Sequence, residues 1–437
     1  MKISAAISFE DWTDIYGTWG KVGVYRILRY LRDSGVDRVY WRSMGGGVVA
    51  YPSRLEDSIR TAWVSPKAER SGFKVNVMRS KEYEEVHLLN GNIKESEIVD
   101  IIFDMGEFDS IACARKVSKI LGLEFFLWHE AHQECHGPHE FSNFVRENPH
   151  LCPINCYGER LPGHLSWGYP ETIERRMDIL KEVMAYKPDG IMLDFVKGGD
   201  HMFPRIDGKG YSAIGYEKPI LNAFKEKTGK DAKTLTNDDM EWIKFRASYV
   251  TEFVKKAREY QKKWYPEMKL GSFGVHKGRP MGAYQDETES NSIVDKKGIM
   301  GATHGKYNKR KIVTTGMVGP LEGNLEDHET WTKEGLVDSL VADISPLLTL
   351  SDGNLNSEEY GKRIDYSRSL LKGDCSFGTQ LNTWAANKAQ ILDAARVANE
   401  HGCKEVVLWE FIGVIRKNTL DAIKEISGKY KEDMCQK

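Results

Sequence analysis

The sequence predicts a single (β/α)8 TIM barrel with long βα-loop insertions, spanning residues 1–437. Two features point to it. Eight short strand-like runs recur along the chain, and most are followed by a stretch with helical periodicity. Strands alternating with helices imply parallel pairing through right-handed crossovers. The second feature is negative. No strand-like run leads into the glycine-rich phosphate fingerprint of an open dinucleotide-binding sheet, so a closed barrel is the better expectation.

The first run, 2–9, is followed by Val24, Ile27, Leu28 and Leu31 at i, i+3, i+4 and i+7, the spacing of one apolar helix face. Gly35 supplies the stop. The second run, 37–43, leads into Gly45-Gly46-Gly47, which reads as a flexible loop. Gly122 precedes the third, 124–130. Pro170 opens a helix carrying Ile173, Met177, Leu180 and Met184. The turn Lys187-Pro188-Asp189-Gly190 then starts the fourth strand, 190–196, whose charge-free run Gly190–Leu193 suits a sheet covered on both faces. Tyr249, Val250, Phe253 and Ala257 mark the helix before the fifth strand, 269–275. The sixth, seventh and eighth are 337–345, 377–384 and 405–411, with Ile391, Ala394, Ala395, Ala398 and the stop Gly402 before the last. The long connections 44–104, 131–168, 197–236 and 276–336 all follow strands, so they gather at the C-terminal mouth, where barrel enzymes keep their chemistry. No low-complexity linker divides the chain.

With 41% hydrophobic and 29% charged residues, the chain can bury a large core. A net charge of −2 gives no whole-molecule case for nucleic acid or an anionic membrane surface as partner. No apolar run is long enough to span a bilayer. No signal peptide follows Met1, which fits a cytoplasmic protein or a mature form with its leader replaced. Seven cysteines without regular spacing argue against a disulfide framework, with Cys152–Cys156 or Cys135–Cys152 as the only candidate bridges.

The strand ends carry the chemistry. Asp194 closes the fourth strand; the alternative role for it is capping the next loop. The second ends Tyr40-Trp41-Arg42, the third Trp128-His129-Glu130, and the fifth runs into His276. The seventh ends on Trp384, and the eighth reads Trp409-Glu410. Four of the eleven Trp thus fall at strand ends among acids and bases. Any one of them could be rim packing; together they favour a carbohydrate site, because aromatic faces stack on sugar rings. Glycosidic hydrolysis needs two carboxyl groups. Asp194 is the first candidate. Glu410 is the second, on a parity that groups it with Leu408 and opposes it to Trp409. Glu130, sharing parity with Trp128, is nearly equal, and Asp343 is third. Arg42, Trp128, His129, His276, Asp343, Trp384 and Trp409 are candidate sugar contacts. For Glu130 and Glu410 the competing role is an ion pair with Arg42, Lys197 or His276. Arg42, Arg54, Lys197, Arg205, Lys277 and Arg279 could meet an anionic polysaccharide or simply be solvated loop charge.

His129, His132 and His136 tempt a metal reading, but Gln133 stands where the zinc-protease motif needs its second His. His129 and Glu130 should face opposite sides of a strand. No metal and no cofactor are expected, and Gly-x-Ser-x-Gly is absent.

Several segments in order resemble the glycosyl hydrolase-like family ten proteins, bacterial TIM-barrel glycosidase-like chains. They are Asn148-Pro149, Trp167-Gly168-Tyr169-Pro170, Arg175-Arg176, the stretch Tyr186 to Asp194 with Pro188-Asp189-Gly190, Trp242 with Arg246, and Trp331 with Gly335-Leu336-Val337-Asp338. They cover roughly residues 120–345. The resemblance implies a (β/α)8 barrel acting on a polysaccharide or glycan, with Asp194 at the catalytic strand end. The chain departs from the family at Ala342-Asp343-Ile344-Ser345, where an aromatic is usual, and in its His-rich segment 129–139. The expected function is therefore glycoside hydrolysis through two carboxylates, with retention of configuration. The alternatives are a non-catalytic glycan-binding barrel and a metal-assisted hydrolase. Sugar identity and oligomeric state stay open.

Overall fold

The computed structural model describes residues 1–8, 11, 20–55, 57–58, 108–134, 142–161, 163–196, 198, 213–237, 239–274, 279–280, 284–286, 310–312, 317–318, 320–343, 357–383 and 386–435. Eight parallel strands close on themselves: β1 Lys2–Ile7, β2 Arg38–Gly45, β3 Glu124–Glu130, β4 Gly190–Asp194, β5 Lys269–Gly274, β6 Ser339–Ala342, β7 Ser376–Asn382 and β8 Glu405–Trp409. Each pairs with its sequence neighbours, and β1 closes the ring on β8 at one edge and on β2 at the other. All eight predicted strands are present, each within a few residues of its expected span.

Helices follow the strands in turn: α1 Gly20–Asp33, α2 Ser110–Leu121, α3 Pro170–Met184, α4 Met240–Trp264, α5 His328–Lys333, α6 Ser357–Ser369, α7 Lys388–Glu400 and α8 Leu420–Cys435. Their ends are chemically specified. Asp109, Asp239 and Asp327 accept hydrogen bonds from first-turn amides of α2, α4 and α5, and Asn387 forms a capping box with Gln390 on α7. Pro170 starts α3, and Gly122, at φ 72°, ends α2. These signals let the chain leave each helix at a defined residue and re-enter the barrel in register.

The alternation of side chains along each strand divides the core in two. Ile3, Val39, Leu127, Ile191, Leu270, Leu340 and Leu408 face outward under the helices. Ala6, Tyr40, Phe126, Met192, Phe273, Val341 and Val407 fill the barrel axis. Below that apolar layer, at the N-terminal end, lies a polar plug. Arg38 donates to Glu124 at 2.6 Å and to Glu405 at 3.0 Å, and the Tyr40 hydroxyl donates to Glu405 at 2.7 Å. Burial and the adjoining Glu405 charge hold the Tyr40 phenol well above its usual range. With that end sealed, the mouth at the strand C-termini is where chemistry can sit.

The long connections do follow β2 to β5. Among their described parts, Val48–Val49 folds back antiparallel on Met44 and Gly45. After β5, Tyr284–Asp286 pairs with Arg310–Ile312, and Arg279–Pro280 with Met317–Val318. Gly45-Gly46-Gly47 differs from its sequence reading. Gly46 (φ 58°) and Gly47 (φ 80°) form a tight hairpin turn, the conformation two-residue hairpin loops require. Cys152 and Cys156 are free thiols, which removes both candidate bridges, and burial pushes Cys152 up to about 12. No helix among the described residues is long and apolar enough to cross a membrane.

Candidate active site

Asp194 is the last residue of β4 and shares the inward parity of Met192. It is buried, with 5% of its surface exposed. The Trp128 indole N–H donates to its Oδ2 at 2.7 Å, and the Phe195 amide donates to its Oδ1 at 2.8 Å. Two donors therefore fix the carboxylate plane. Phe195 adopts φ 51°, a left-handed conformation that turns the chain away at the strand exit. The Ala131 amide donates to the Asp194 carbonyl at 2.8 Å, which ties the exits of β3 and β4 together.

Arg42 leaves β2 on the same inner face and lies with its guanidinium 4.5 Å from the Trp128 ring centroid. It forms an ion pair with Glu130, donates to the Ser8 hydroxyl at 3.1 Å, and comes within 3.9 Å of Glu410. The second Glu130 oxygen accepts from the Gly46 amide at 2.9 Å. Gly45 makes this possible: a Cβ there would fall 2.3 Å from Arg42 Nε. Ser8, Gly45 and Gly46 were not among the expected site residues. The Gly-Gly turn between apolar runs is the hairpin signal that could have identified the last two. No comparable signal marks Ser8.

Trp409 packs its ring 4.4 Å from that of Trp128 and 5.3 Å from Phe273, roofing the apolar layer. The parity argument for Glu410 does not hold. Leu408 faces outward and Trp409 inward. Glu410 lies beyond the strand as the N-cap residue of the short helix Phe411–Arg416, after a cis Trp409–Glu410 peptide, and it still reaches the Arg42 side of the mouth. Its side chain is 20% exposed, against 1% for Glu130.

His129 faces outward, as its opposition to Glu130 requires. Its Nδ1 is 3.1 Å from the Ser43 hydroxyl, and burial together with the Arg176 charge pushes it down to about 3. Asp343 follows β6, bonds its amide to the Gly274 carbonyl at 2.9 Å, and acts electrostatically on the Tyr360 hydroxyl of α6. His276 and Trp384 lie outside the described residues. Outside the barrel wall a second polar group braces the β3–α3 connection. Glu134 and Arg176 form a wholly buried ion pair, and His132 stacks on Trp167 at 5.4 Å beside His164 at 5.2 Å. Among the described residues, no three His, Cys, Asp or Glu converge as metal ligands do.

No protein-family model and no curated protein matches the chain. Solved structures do. The chain is similar to the glycoside hydrolase domain of PgaB (BpsB) from Bordetella bronchiseptica, with a TM-score of 0.58 and 10% identity over 98% of this chain and 99% of that one. It is similar to the catalytic domain of the β-amylase of Paenibacillus polymyxa, with a TM-score of 0.53 and 10% identity over 97% of each chain. A β-galactosidase from the psychrophilic Marinomonas ef1 gives a TM-score of 0.54 and 11% identity, covering 99% of this chain and 60% of that one. At such identities the likeness establishes the barrel.

Proposed function

We propose that this barrel is a glycoside hydrolase acting on a polysaccharide or oligosaccharide through two carboxylates at its mouth. The observation that carries the reading is the constellation of Asp194, Trp128, Arg42, Glu130 and Glu410 at neighbouring strand exits. The resemblance to glycosyl hydrolase-like family ten and the glycosidase names of the similar structures agree with it.

The hydrogen bonds support a different role for each acid. Asp194, oriented by Trp128 and Phe195, accepts at both oxygens, which suits a nucleophile. Glu130 is committed to Arg42 and Gly46, so its place is structural. Glu410, more open to solvent, is assigned as acid/base. It protonates the glycosidic oxygen while Asp194 attacks the anomeric carbon, giving a covalent glycosyl ester. It then deprotonates the water that hydrolyses the ester, so configuration is retained. Trp409, partly exposed above the buried Trp128, offers its aromatic face to the sugar, while Trp128 holds Asp194 in place and is not itself a sugar contact. His276 and Trp384 remain candidate contacts on the fifth and seventh strand exits.

The test is a panel of neutral and anionic polysaccharides assayed for new reducing ends, with the first-formed anomer followed by proton NMR on any substrate that is cut. Cleavage with retention supports the reading. Saturable binding without cleavage on every member would identify a glycan-binding barrel instead.

A further inference from the structure

We propose that the outer face of α1 and α2 docks the protein onto an anionic lipid surface. The chain as a whole is nearly neutral, with 62 basic and 64 acidic residues. The two helices are not. Helix α1 carries Lys21, Arg26, Arg29 and Arg32 against one acid, Asp33, and α2 carries Arg115, Lys116 and Lys119 against none. The next helix in the ring lacks this excess: α3 bears Glu171, Glu174, Asp178 and Glu182 against Arg175, Arg176 and Lys181, and Arg176 is buried on Glu134. The positive field is therefore local and bounded.

Its cations are available. Lys21, Arg32, Lys116 and Lys119 are exposed and make no ion pair among the described residues. Helices α1 and α2 pack side by side, so the exposed cations of one adjoin those of the other.

Apolar side chains stand among these charges. Ile120 is 72% exposed, more than any other large hydrophobic side chain described, and Val22 and Tyr25 are 51% and 42% exposed. Cations alone would suit any polyanion. Aliphatic side chains set among them gain nothing from a phosphodiester backbone, but they are buried when they enter the headgroup–acyl boundary of a bilayer. That combination selects acidic lipid over nucleic acid. It also explains why net charge hid the feature: acids elsewhere on the barrel cancel it in the sum.

The test is co-sedimentation of the full chain with vesicles of phosphatidylcholine, alone or with about one-third phosphatidylglycerol, at low and high salt. The expected result is binding to the mixed vesicles, little to the neutral ones, and release by salt. A Lys21→Glu, Lys116→Glu, Lys119→Glu variant should lose about tenfold or more in partitioning. Val22→Ser with Ile120→Ser should lose a few-fold at unchanged charge. Reversing Lys225, Lys227 and Lys244, exposed on other helices, should change little. Melting curves identical to wild type would show that each variant is folded. Equal binding to neutral vesicles, no binding to either, an equal loss in the control variant, or retention on duplex DNA without vesicle binding would each overturn the proposal.

Discussion

Arg42 joins the two acids between which the sequence could not choose. Read from spacing, Glu130 and Glu410 were near equals, because distance along a chain says nothing about distance across a barrel. In three dimensions Arg42 takes Glu130 as its ion-pair partner and leaves Glu410 3.9 Å away and more exposed. The two substitutions should therefore differ in kind. Glu130→Gln removes the nearer and more deeply buried of the two carboxylates that meet the Arg42 guanidinium and should cost about 3 kcal/mol of stability, with turnover surviving in the folded fraction. Glu410→Gln should leave the melting temperature near wild type and lower kcat by about 10²–10⁴-fold. Paired thermal melts and initial rates read both, and the reverse pattern would exchange the two roles. The parity that set Glu130 with Trp128 already put His129 on the other face of the strand, and its choice as a sugar contact rested only on its place at the strand end. Its environment gives a pH prediction. The unfolded chain takes up a proton near the ordinary histidine value of 6.5, whereas the folded ring waits until about pH 3. The stabilising contribution is complete above about pH 6.5 and declines as pH falls toward 3, by at most about 1.4 kcal/mol per pH unit. His129→Gln should narrow the difference in urea midpoint between pH 7 and pH 5. An unchanged difference would mean that the ring is already charged in the native state.

Elements were the most legible level, since strand and helix periods and their stop residues are local. Gly35, Gly122 and Gly402 each end a helix and each adopts positive φ. What spacing could not convey was inward packing at one residue's resolution. Gly190 was read as a turn residue opening a strand. It also sits where a Cβ would lie 2.2 Å from the Phe126 ring, which is held by the Tyr40 ring at 5.6 Å and the Arg38 guanidinium at 3.9 Å. A ring held in the barrel axis cannot swing aside as a flexible side-chain end could. Gly190→Ala should destabilise the barrel by about 1–3 kcal/mol, measured by denaturant unfolding. A neutral result would show that the axial layer is looser than its packing implies. The hairpin at Gly46 was missed for a related reason. Three consecutive glycines look featureless until both positive φ values and the Glu130 acceptor are seen together.

At the scale of the whole molecule, eight strand–helix alternations were enough to specify a closed barrel, and closure then determines which end can be functional. The N-terminal end is sealed by Arg38, Glu124, Glu405 and Tyr40; the C-terminal end gathers Asp194, Trp128, Arg42, Glu130, Trp409 and Glu410. The candidate site was legible only as a set of strand-end residues. Which pairs touch was not, because contacts across a barrel depend on twist and register that no local pattern encodes. Overall charge misled in the same way by averaging over the surface. The central claim is that Asp194 is the carboxylate on which glycoside cleavage turns. The direct measurement is kcat of Asp194→Asn against wild type on a polysaccharide that the wild type cleaves. The substitution keeps the volume and a carbonyl acceptor for the Trp128 N–H while removing the charge. The account predicts a fall of several orders of magnitude in kcat with KM little changed. Full activity in a folded Asp194→Asn protein would contradict it.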